Sequence, residues 1–243
     1  MSTRYIPWGP WSTTGFTLLI FLGFLVGQII GIGVFSYFAT FGNDSADILN
    51  YALELSNTGK GVIVSFIPGA IIGVLMTFWF VKIRKINTLT DYLHLHPPRI
   101  LSVFFWLGVL LLFAVTSEFL ARYLERDIPA WMTDIYETAG SLPLLWITLV
   151  VAAPLFEEIL VRGFMLEGFR HTRLGDFGAV LLTAALWAAV HIQYEFFEIF
   201  TIFIIGIILG YARLKSGSLY TPIILHAVMN FIATLQIALL QST

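Results

Sequence analysis

Residues 154–163 read Pro-Leu-Phe-Glu-Glu-Ile-Leu-Val-Arg-Gly, and this stretch decides how the whole chain is interpreted. From Leu142 to Val161 the only charged side chains are those of Glu157 and Glu158. An apolar run of about 20 residues is long enough for a helix to cross a bilayer. A carboxylate at the centre of a bilayer costs on the order of 3 kcal/mol, so we expect a group or a function that compensates for it.

Helix geometry separates the two carboxylates. Glu158 and Arg162 are four residues apart, so they share one helix face and can form an ion pair. Glu157 is rotated from Glu158 by about 100° and points elsewhere. In one interpretation the pair only holds two helices in register and Glu157 is incidental. Ionisable residues inside a membrane are more often functional, and the pair does not need the second acid.

The composition excludes several classes of protein. The 243 residues are 58% hydrophobic and only 12% charged, a balance typical of polytopic membrane proteins rather than of soluble domains. The net charge of −2 provides no basic surface, so no nucleic acid partner is expected. The chain has no cysteine, which excludes disulfides, thiolate nucleophiles and zinc-thiolate sites.

The apolar runs predict an all-α, polytopic membrane protein with about seven to eight transmembrane helices that enclose an intramembrane polar cavity. The connection at 42–60 is predicted to be a loop because of its turn residues, such as Asn43. The connection at 122–141 is predicted to contain a short amphipathic surface helix. Seven runs of spanning length lie near residues 15–40, 61–83, 100–120, 142–166, 177–193, 197–213 and 219–240.

The basic residues predict the orientation of the chain. With the N-terminus in the cytoplasm, alternate connections collect ten of the 13 Lys and Arg residues on one side. Because basic connections favour the cytoplasm, we expect a multi-pass protein of the cytoplasmic membrane with its N-terminus inside. The ten residues are Arg4, Lys82, Arg84, Lys85, Arg99, Arg162, Arg170, Arg173, Arg213 and Lys215.

A helical hairpin is predicted to bring a histidine to the level of the carboxylates. Glu157 and His191 are each 17 residues from a turn near residue 174, so two straight antiparallel helices would place them side by side. Trp187 lies one turn before His191 on the same face and could pack on its ring. A lone histidine at a helix end is more often a structural residue than a catalyst.

The last helix is predicted to carry a second polar stripe. His226 and Asn230 are four residues apart on one face, and an interhelical hydrogen-bond pair is the structural alternative for them. In the preceding helix, Gly206 and Gly210 form a face of small residues that allows a neighbouring helix to approach closely. Such a glycine face is common packing and indicates no chemistry.

These polar groups lie on three predicted helices of the C-terminal half, where packing alone does not explain so many. A carboxylate beside an imidazole suits general-base activation of water. A second histidine with an asparagine donor suits stabilisation of an oxyanion when a carbonyl is attacked. The combination indicates amide hydrolysis inside a membrane cavity.

The same residues resemble the CPBP family of intramembrane proteases, also called Abi or CAAX-protease-like, which includes the type II prenyl-protein endopeptidases. The family signature is EExxxR, then an aromatic residue four positions before a His, then HxxxN. Trp187 departs mildly from the phenylalanine that is common in the family. The motifs cover roughly residues 142–232 and are filled in order by Glu157, Glu158, Arg162, Trp187, His191, His226 and Asn230.

The resemblance implies an intramembrane glutamic endopeptidase in which Glu157 and His191 activate water and His226 and Asn230 form the oxyanion hole. Glu158, Arg162 and the aromatic Trp187 would then support the site or bind substrate. The resemblance implies a catalytic core in residues 142–243. Residues 1–141 show no such resemblance, and because their apolar runs have almost no polar side chains they are predicted to be N-terminal scaffold helices of the same integral membrane unit.

Cofactor and partner expectations follow from the same residues. Two Glu, two His and an Asn could ligate zinc, but the chain has no HExxH motif, so we expect a metal-free mechanism. The expected partners are the lipid bilayer and a membrane-associated peptide or protein substrate. The eukaryotic members of the family cleave after a prenylated cysteine, whereas many bacterial members have no such substrate.

Two other classes of function remain open. A transporter would use Glu157 and Glu158 as a proton relay, although no inverted repeat is visible in the sequence. A non-catalytic scaffold or immunity protein would tolerate the loss of Glu157 as long as Glu158 and Arg162 still paired.

Overall fold

The structure is a computed structural model that describes residues 7–41, 44–84, 88–127 and 129–241. Arg4 and Lys85, which entered the orientation prediction, lie outside the described residues, and so does Asn43 from the predicted loop. Within the described ranges every regular element is a helix and none is a strand.

Twelve α-helices follow one another along the described residues. Their bounds are α1 Pro10–Ala39, α2 Ser45–Leu55, α3 Gly59–Ile83, α4 Leu89–Leu93, α5 Ile100–Tyr123, α6 Ala130–Glu137, α7 Leu142–Ile147, α8 Ala153–Glu158, α9 Leu166–Arg170, α10 Gly175–Ala189, α11 Phe196–Ser216 and α12 Tyr220–Leu240.

Six helices are long and apolar enough to cross a membrane. They are α1, α3, α5, the composite helix Leu142–Arg170 that contains α7 to α9, α11 and α12. Helix α10 is also apolar but has only 15 residues. Each of the seven apolar runs therefore overlaps one of these seven helices, and the protein is the all-helical, multi-pass membrane protein that the sequence predicts.

The connection at 42–60 is a correction to the sequence prediction, because most of it is helix α2 rather than a loop. The Asp44 carboxylate caps α2 by accepting hydrogen bonds from the backbone N–H groups of Ala46 and Asp47, each at 2.9 Å. Such a cap satisfies donors that have no partner inside a helix. The turn residues of this segment lie at its ends and do not interrupt it. The predicted amphipathic helix at 122–141 is present as α6.

The composite helix differs from the single regular helix expected over this run. It contains two π-helical segments, Thr148–Ala152 and Ile159–Met165, on either side of α8. Pro154 lacks the N–H group that a regular turn requires, which explains a wider turn just before it. Segments of π-helix occur frequently at functional sites, and these two enclose the helix that carries Glu157 and Glu158.

The chain divides into two compact units, and the first comprises Met1–Thr17, Thr77–Ile128 and Glu157–His226. In this unit α11 packs closely on α10. A Cβ atom added at Gly206 would lie 2.9 Å from Ala184 Cβ, and one added at Gly210 would lie 3.0 Å from Val180 Cγ1. The close approach predicted for the glycine face is therefore confirmed.

The end of α5 is also tied to the start of α11 in the first unit. Arg126 Nη2 lies 2.6 Å from Glu195 Oε2 and 3.2 Å from Glu198 Oε1. These contacts hold the short segment between α10 and α11, which contains His191 and Tyr194.

The second unit comprises Leu18–Met76, Pro129–Phe156 and Ala227–Thr243. Phe24 stacks on Phe156 with ring centroids 4.6 Å apart. A small apolar core contains Ile63, Ala139 and Leu145.

Candidate active site

Glu158 and Arg162 form the buried ion pair that their spacing predicts. Arg162 Nη1 lies 2.7 Å from Glu158 Oε1, and both side chains are fully buried. The guanidinium also donates from Nη2 to the Gly206 carbonyl at 3.3 Å. Because a buried charge is tolerated only when it is paired and hydrogen-bonded, this pair is part of the structure of the site and not a surface contact.

The carboxylate of Glu158 binds a histidine as well. His226 Nδ1 lies 2.9 Å from Glu158 Oε1, the same oxygen that Arg162 contacts. An ionised carboxylate only accepts hydrogen bonds, so Nδ1 of His226 carries the proton. The other ring nitrogen of His226, Nε2, is left for a second partner. Nε2 donates a hydrogen bond to that partner when the ring is an imidazolium.

Glu157 has a different environment from Glu158. Its side chain is half-buried, and Trp187 Nε1 donates a hydrogen bond to Oε2 at 2.6 Å. The rotation of about 100° between neighbouring helical residues therefore separates the acids, as expected. One acid is enclosed in an ion pair, and the other remains accessible to a small molecule such as water.

His191 follows the end of α10 and is half-buried. Its Nδ1 lies 2.7 Å from the backbone carbonyl oxygen of Trp187, which can only accept a hydrogen bond, so Nδ1 carries the proton. In the neutral ring Nε2 is then an acceptor, which is the tautomer that a general base requires.

Trp187 lies between the two imidazoles. Its ring centroid is 5.2 Å from that of His191 and 5.2 Å from that of His226, with edge-to-face orientation in both cases. The Arg162 guanidinium lies 4.4 Å from the centroid of the indole ring. The hairpin of the composite helix and α10 thus brings Glu157 against Trp187, one turn before His191, and the predicted packing of the indole on the imidazole is confirmed.

Asn230 is placed differently from the other candidates. Its side-chain Nδ2 donates to the Leu149 carbonyl at 2.8 Å, a contact within the second unit. The six others, Glu157, Glu158, Arg162, Trp187, His191 and His226, all belong to the first unit. The role of Asn230 at an oxyanion stays a prediction.

Tyr194 is a candidate that the sequence analysis missed. Its ring centroid lies 6.2 Å from that of His191, and its backbone N–H donates to the His191 carbonyl at 3.1 Å. Burial, together with the nearby carboxylates of Glu157 and Glu198, raises the pKa of Tyr194 to about 12. A tyrosine three residues after a histidine has no distinctive spacing, so only the tertiary structure indicates it.

A second polar cluster surrounds Glu167 in the first unit. Its buried carboxylate lies 2.9 Å from His171 Nε2, 3.3 Å from His94 Nε2, 3.5 Å from Arg170 Nη1 and 3.7 Å from Arg213 Nη2. These residues come from α9, α11 and the segments that follow α4 and α9. The cluster joins helices that are distant in sequence, which is a structural role.

A metal ion would need three or more suitable ligands close together. Over the described ranges, no group of three or more His, Asp or Glu side chains has an arrangement that could hold one. The two site histidines are each engaged through Nδ1 with a different acceptor, and Trp187 lies between them. Each ring still has its Nε2, so the metal-free mechanism expected from the sequence stays a prediction.

Comparison with known proteins identifies the class of the domain. Residues 139–232 match the family model described as type II CAAX prenyl endopeptidase Rce1-like. This match confirms, for that segment, the family resemblance of the three motifs. The chain is also 28% identical over 183 residues to an uncharacterized 24.3 kDa protein of Escherichia coli, covering 74% of this chain and 82% of the relative. No solved structure matches significantly.

Proposed function

We propose that the protein is an intramembrane endopeptidase that hydrolyses a peptide bond with a water molecule activated by Glu157 and His191. The observation that carries the proposal is the position of Glu157. Its half-buried carboxylate is held by Trp187 one turn before His191, within the segment that matches the Rce1-like family model. A carboxylate and a neutral imidazole in this arrangement suit general-base catalysis.

The reaction needs no group beyond water and these side chains. Glu157 takes one proton from water while the water oxygen bonds to the carbonyl carbon, with His191 orienting the water. The tetrahedral intermediate carries a negative charge on the former carbonyl oxygen. When the carbon–nitrogen bond breaks, the proton held by Glu157 passes to the leaving nitrogen.

His226 and Asn230 are assigned to the oxyanion in this proposal. An imidazolium at His226 keeps one N–H on Glu158 and directs the other from Nε2, and Glu158 stabilises its charge. Arg162 holds the Glu158 carboxylate in place. Glu158 and Arg162 therefore support the site and do not react.

The proposed substrate is a membrane-associated peptide or protein. A prenylated CAAX sequence is the first candidate, because the matching family is described by that substrate. The lipid bilayer would hold both enzyme and substrate, since six helices are long and apolar enough to cross a membrane. We propose the cytoplasmic membrane as the location, with the N-terminus in the cytoplasm, from the distribution of basic residues.

The test is cleavage of a quenched, farnesylated CAAX peptide by the purified wild type and by Glu157→Gln, each with and without a zinc chelator. Glu54→Gln is the matched control, because Glu54 is an exposed acid on α2. We expect the wild type and Glu54→Gln to cleave, with or without the chelator, and Glu157→Gln to be inactive. Turnover by Glu157→Gln would contradict the proposal and favour a non-catalytic role. Loss of wild-type cleavage with the chelator would contradict the metal-free mechanism.

The same variants also test whether the substrate is a membrane protein without a CAAX sequence. If the wild type leaves the CAAX peptide intact, membrane proteins captured by Glu157→Gln but not by Glu54→Gln are identified by mass spectrometry. Cleavage of a captured protein by the wild type alone would support the endopeptidase with a different substrate.

A further inference from the structure

The indole of Trp187 contacts four of the other candidate residues. Its Nε1 lies 2.6 Å from Glu157 Oε2, and its ring meets Arg162, His191 and His226 at centroid distances of 4.4, 5.2 and 5.2 Å. The side chain is only 6% exposed. A residue with these contacts can determine the geometry of the site as well as fill space.

The hydrogen bond between Trp187 and Glu157 has a defined direction. An indole has one N–H donor and no acceptor, whereas the orientation of hydrogen bonds from histidine depends on its tautomer. A donor to an ionised carboxylate makes a short and strong hydrogen bond. Because Oε2 accepts the hydrogen bond at 2.6 Å, this oxygen itself carries no proton.

The orientation of the indole is held on several sides. A Cβ atom added at Gly206 would lie 3.3 Å from Trp187 Cε3, so α11 passes directly beside the ring. The Arg162 guanidinium is positioned over the ring by its own ion pair with Glu158. These neighbours favour the orientation in which the N–H group points to Glu157.

From this geometry, we propose that Trp187 is a positioning residue that selects which oxygen of Glu157 acts as the base. Oε2 accepts the indole N–H, and Oε1 is left to take the proton from water. This inference rests on the proposed endopeptidase function. Trp187 itself forms no bond to substrate and loses no proton.

The contact is tested first without any substrate. Indole N–H resonances of the detergent-solubilised protein are recorded by proton–nitrogen NMR, and the Trp187 signal is assigned as the one missing in Trp187→Phe. We expect a downfield signal that moves upfield in Glu157→Ala and stays in place in Glu54→Ala. An unchanged Trp187 signal in Glu157→Ala would overturn the proposal, whether or not the protein is a protease.

The catalytic consequence is tested by removing only the N–H group. Replacement of Trp187 by 3-benzothienylalanine keeps the size and shape of the ring and puts sulfur where the N–H was. With the quenched, farnesylated CAAX peptide, we expect kcat to fall about 10- to 100-fold, in line with the loss of a hydrogen bond to a charged group. KM should stay within about twofold, because Trp187 acts on the reaction step and not on uniform substrate binding.

The two variants of Trp187 separate positioning from packing. Trp187→Phe removes the N–H and part of the ring, so it would lower both kcat and thermal stability. The benzothienyl variant should keep the wild-type melting temperature and still lose kcat. A benzothienyl variant with wild-type kcat would overturn the positioning role while leaving Glu157-dependent cleavage, and with it the proposed function, intact.

Discussion

His226 Nδ1 lies 2.9 Å from Glu158 Oε1, and both side chains are buried. The same oxygen accepts a hydrogen bond from Arg162 Nη1 at 2.7 Å. One carboxylate therefore stabilises a buried guanidinium and orients a candidate catalytic imidazole. Glu157, one residue earlier, is half-buried and contacts Trp187 instead.

The two adjacent acids should respond differently to the same substitution. In Glu158→Gln the Arg162 charge stays buried without its carboxylate, and breaking a buried pair in this way costs roughly 3 to 5 kcal/mol. We expect a clear fall in melting temperature in detergent. Glu157→Gln, the matched control, should melt close to the wild type because its side chain is not in an ion pair. Equal melting temperatures for the two variants would contradict the buried pair.

Tyr194 should contribute to the rate through its hydroxyl. Tyr194→Phe keeps the ring beside His191 and removes the O–H donor, so we expect kcat to fall about 3- to 30-fold, as for the loss of one hydrogen bond. Tyr123→Phe is the control, since Tyr123 is 78% exposed at the end of α5. Steady-state cleavage of the quenched peptide measures both. Wild-type kcat in Tyr194→Phe would show that Tyr194 only packs against the histidine.

The pKa of Tyr194 also predicts a pH dependence. Burial raises this pKa to about 12, and the neutral phenol is the form that donates a hydrogen bond. The donor is therefore present below pH 10, the ordinary tyrosine value, and is lost only as the pH rises through about 12. We expect the ratio of wild-type to Tyr194→Phe kcat to stay constant between pH 7 and about pH 10. A ratio that declines within this range would contradict the raised pKa.

The glycine face of α11 should tolerate a methyl group at one position better than at the other. In Gly206→Ala the new Cβ would lie 2.9 Å from Ala184 Cβ and 3.1 Å from Ala184 Cα, so the helix backbones must separate. Overpacking of this kind costs about 1 to 3 kcal/mol. In Gly210→Ala the nearest atoms belong to the Val180 side chain, which can adjust.

Both glycine variants gain helix propensity of about 1 kcal/mol, so their difference isolates the helix contact. We expect Gly206→Ala to melt at a lower temperature than Gly210→Ala. The Gly206→Ala variant should also cleave more slowly, because Gly206 lies beside Trp187 and its carbonyl oxygen accepts a hydrogen bond from Arg162. Cleavage by Gly206→Ala at the rate of Gly210→Ala would contradict the link between the helix contact and the site.

The cluster around Glu167 should affect stability without affecting catalysis. Glu167→Gln removes the charge that the buried Arg213 faces, so a lower melting temperature is expected. The kcat of the folded enzyme should stay near the wild-type value. Asp176→Asn is the control, because Asp176 is more than half exposed in its pair with Arg170 and such pairs contribute little. A large loss of kcat in folded Glu167→Gln would assign the cluster to the reaction instead.

Local sequence patterns determined the framework of this protein. Runs of apolar residues predicted the membrane helices, because a helix in a bilayer must cover its backbone with apolar side chains over a fixed length. The spacing of four residues predicted the Glu158–Arg162 pair, and the glycine spacing predicted the close helix contact. Each of these features depends on residues within one helix and on the helical period.

The helix α2 and the two π-helical segments were not predicted from the same patterns. The turn residues on both sides of α2 led to the prediction of a loop, whereas the segment is a helix capped by Asp44. The π-helical segments change the rotation of the composite helix on both sides of α8. Pro154 accounts for the wider turn before it, but the sequence does not show in advance where a helix changes its period.

Only the tertiary structure decided which polar groups meet. Three contacts depend on how helices far apart in sequence are packed. His226 and Arg162 share one oxygen of Glu158, Trp187 donates to Glu157, and Tyr194 lies against His191. A helical period shows which residues lie on one face of a helix. The rotation and depth of each helix against its neighbours come from side-chain packing across the whole unit, and this packing sets the distances of a few ångströms on which the proposed chemistry depends.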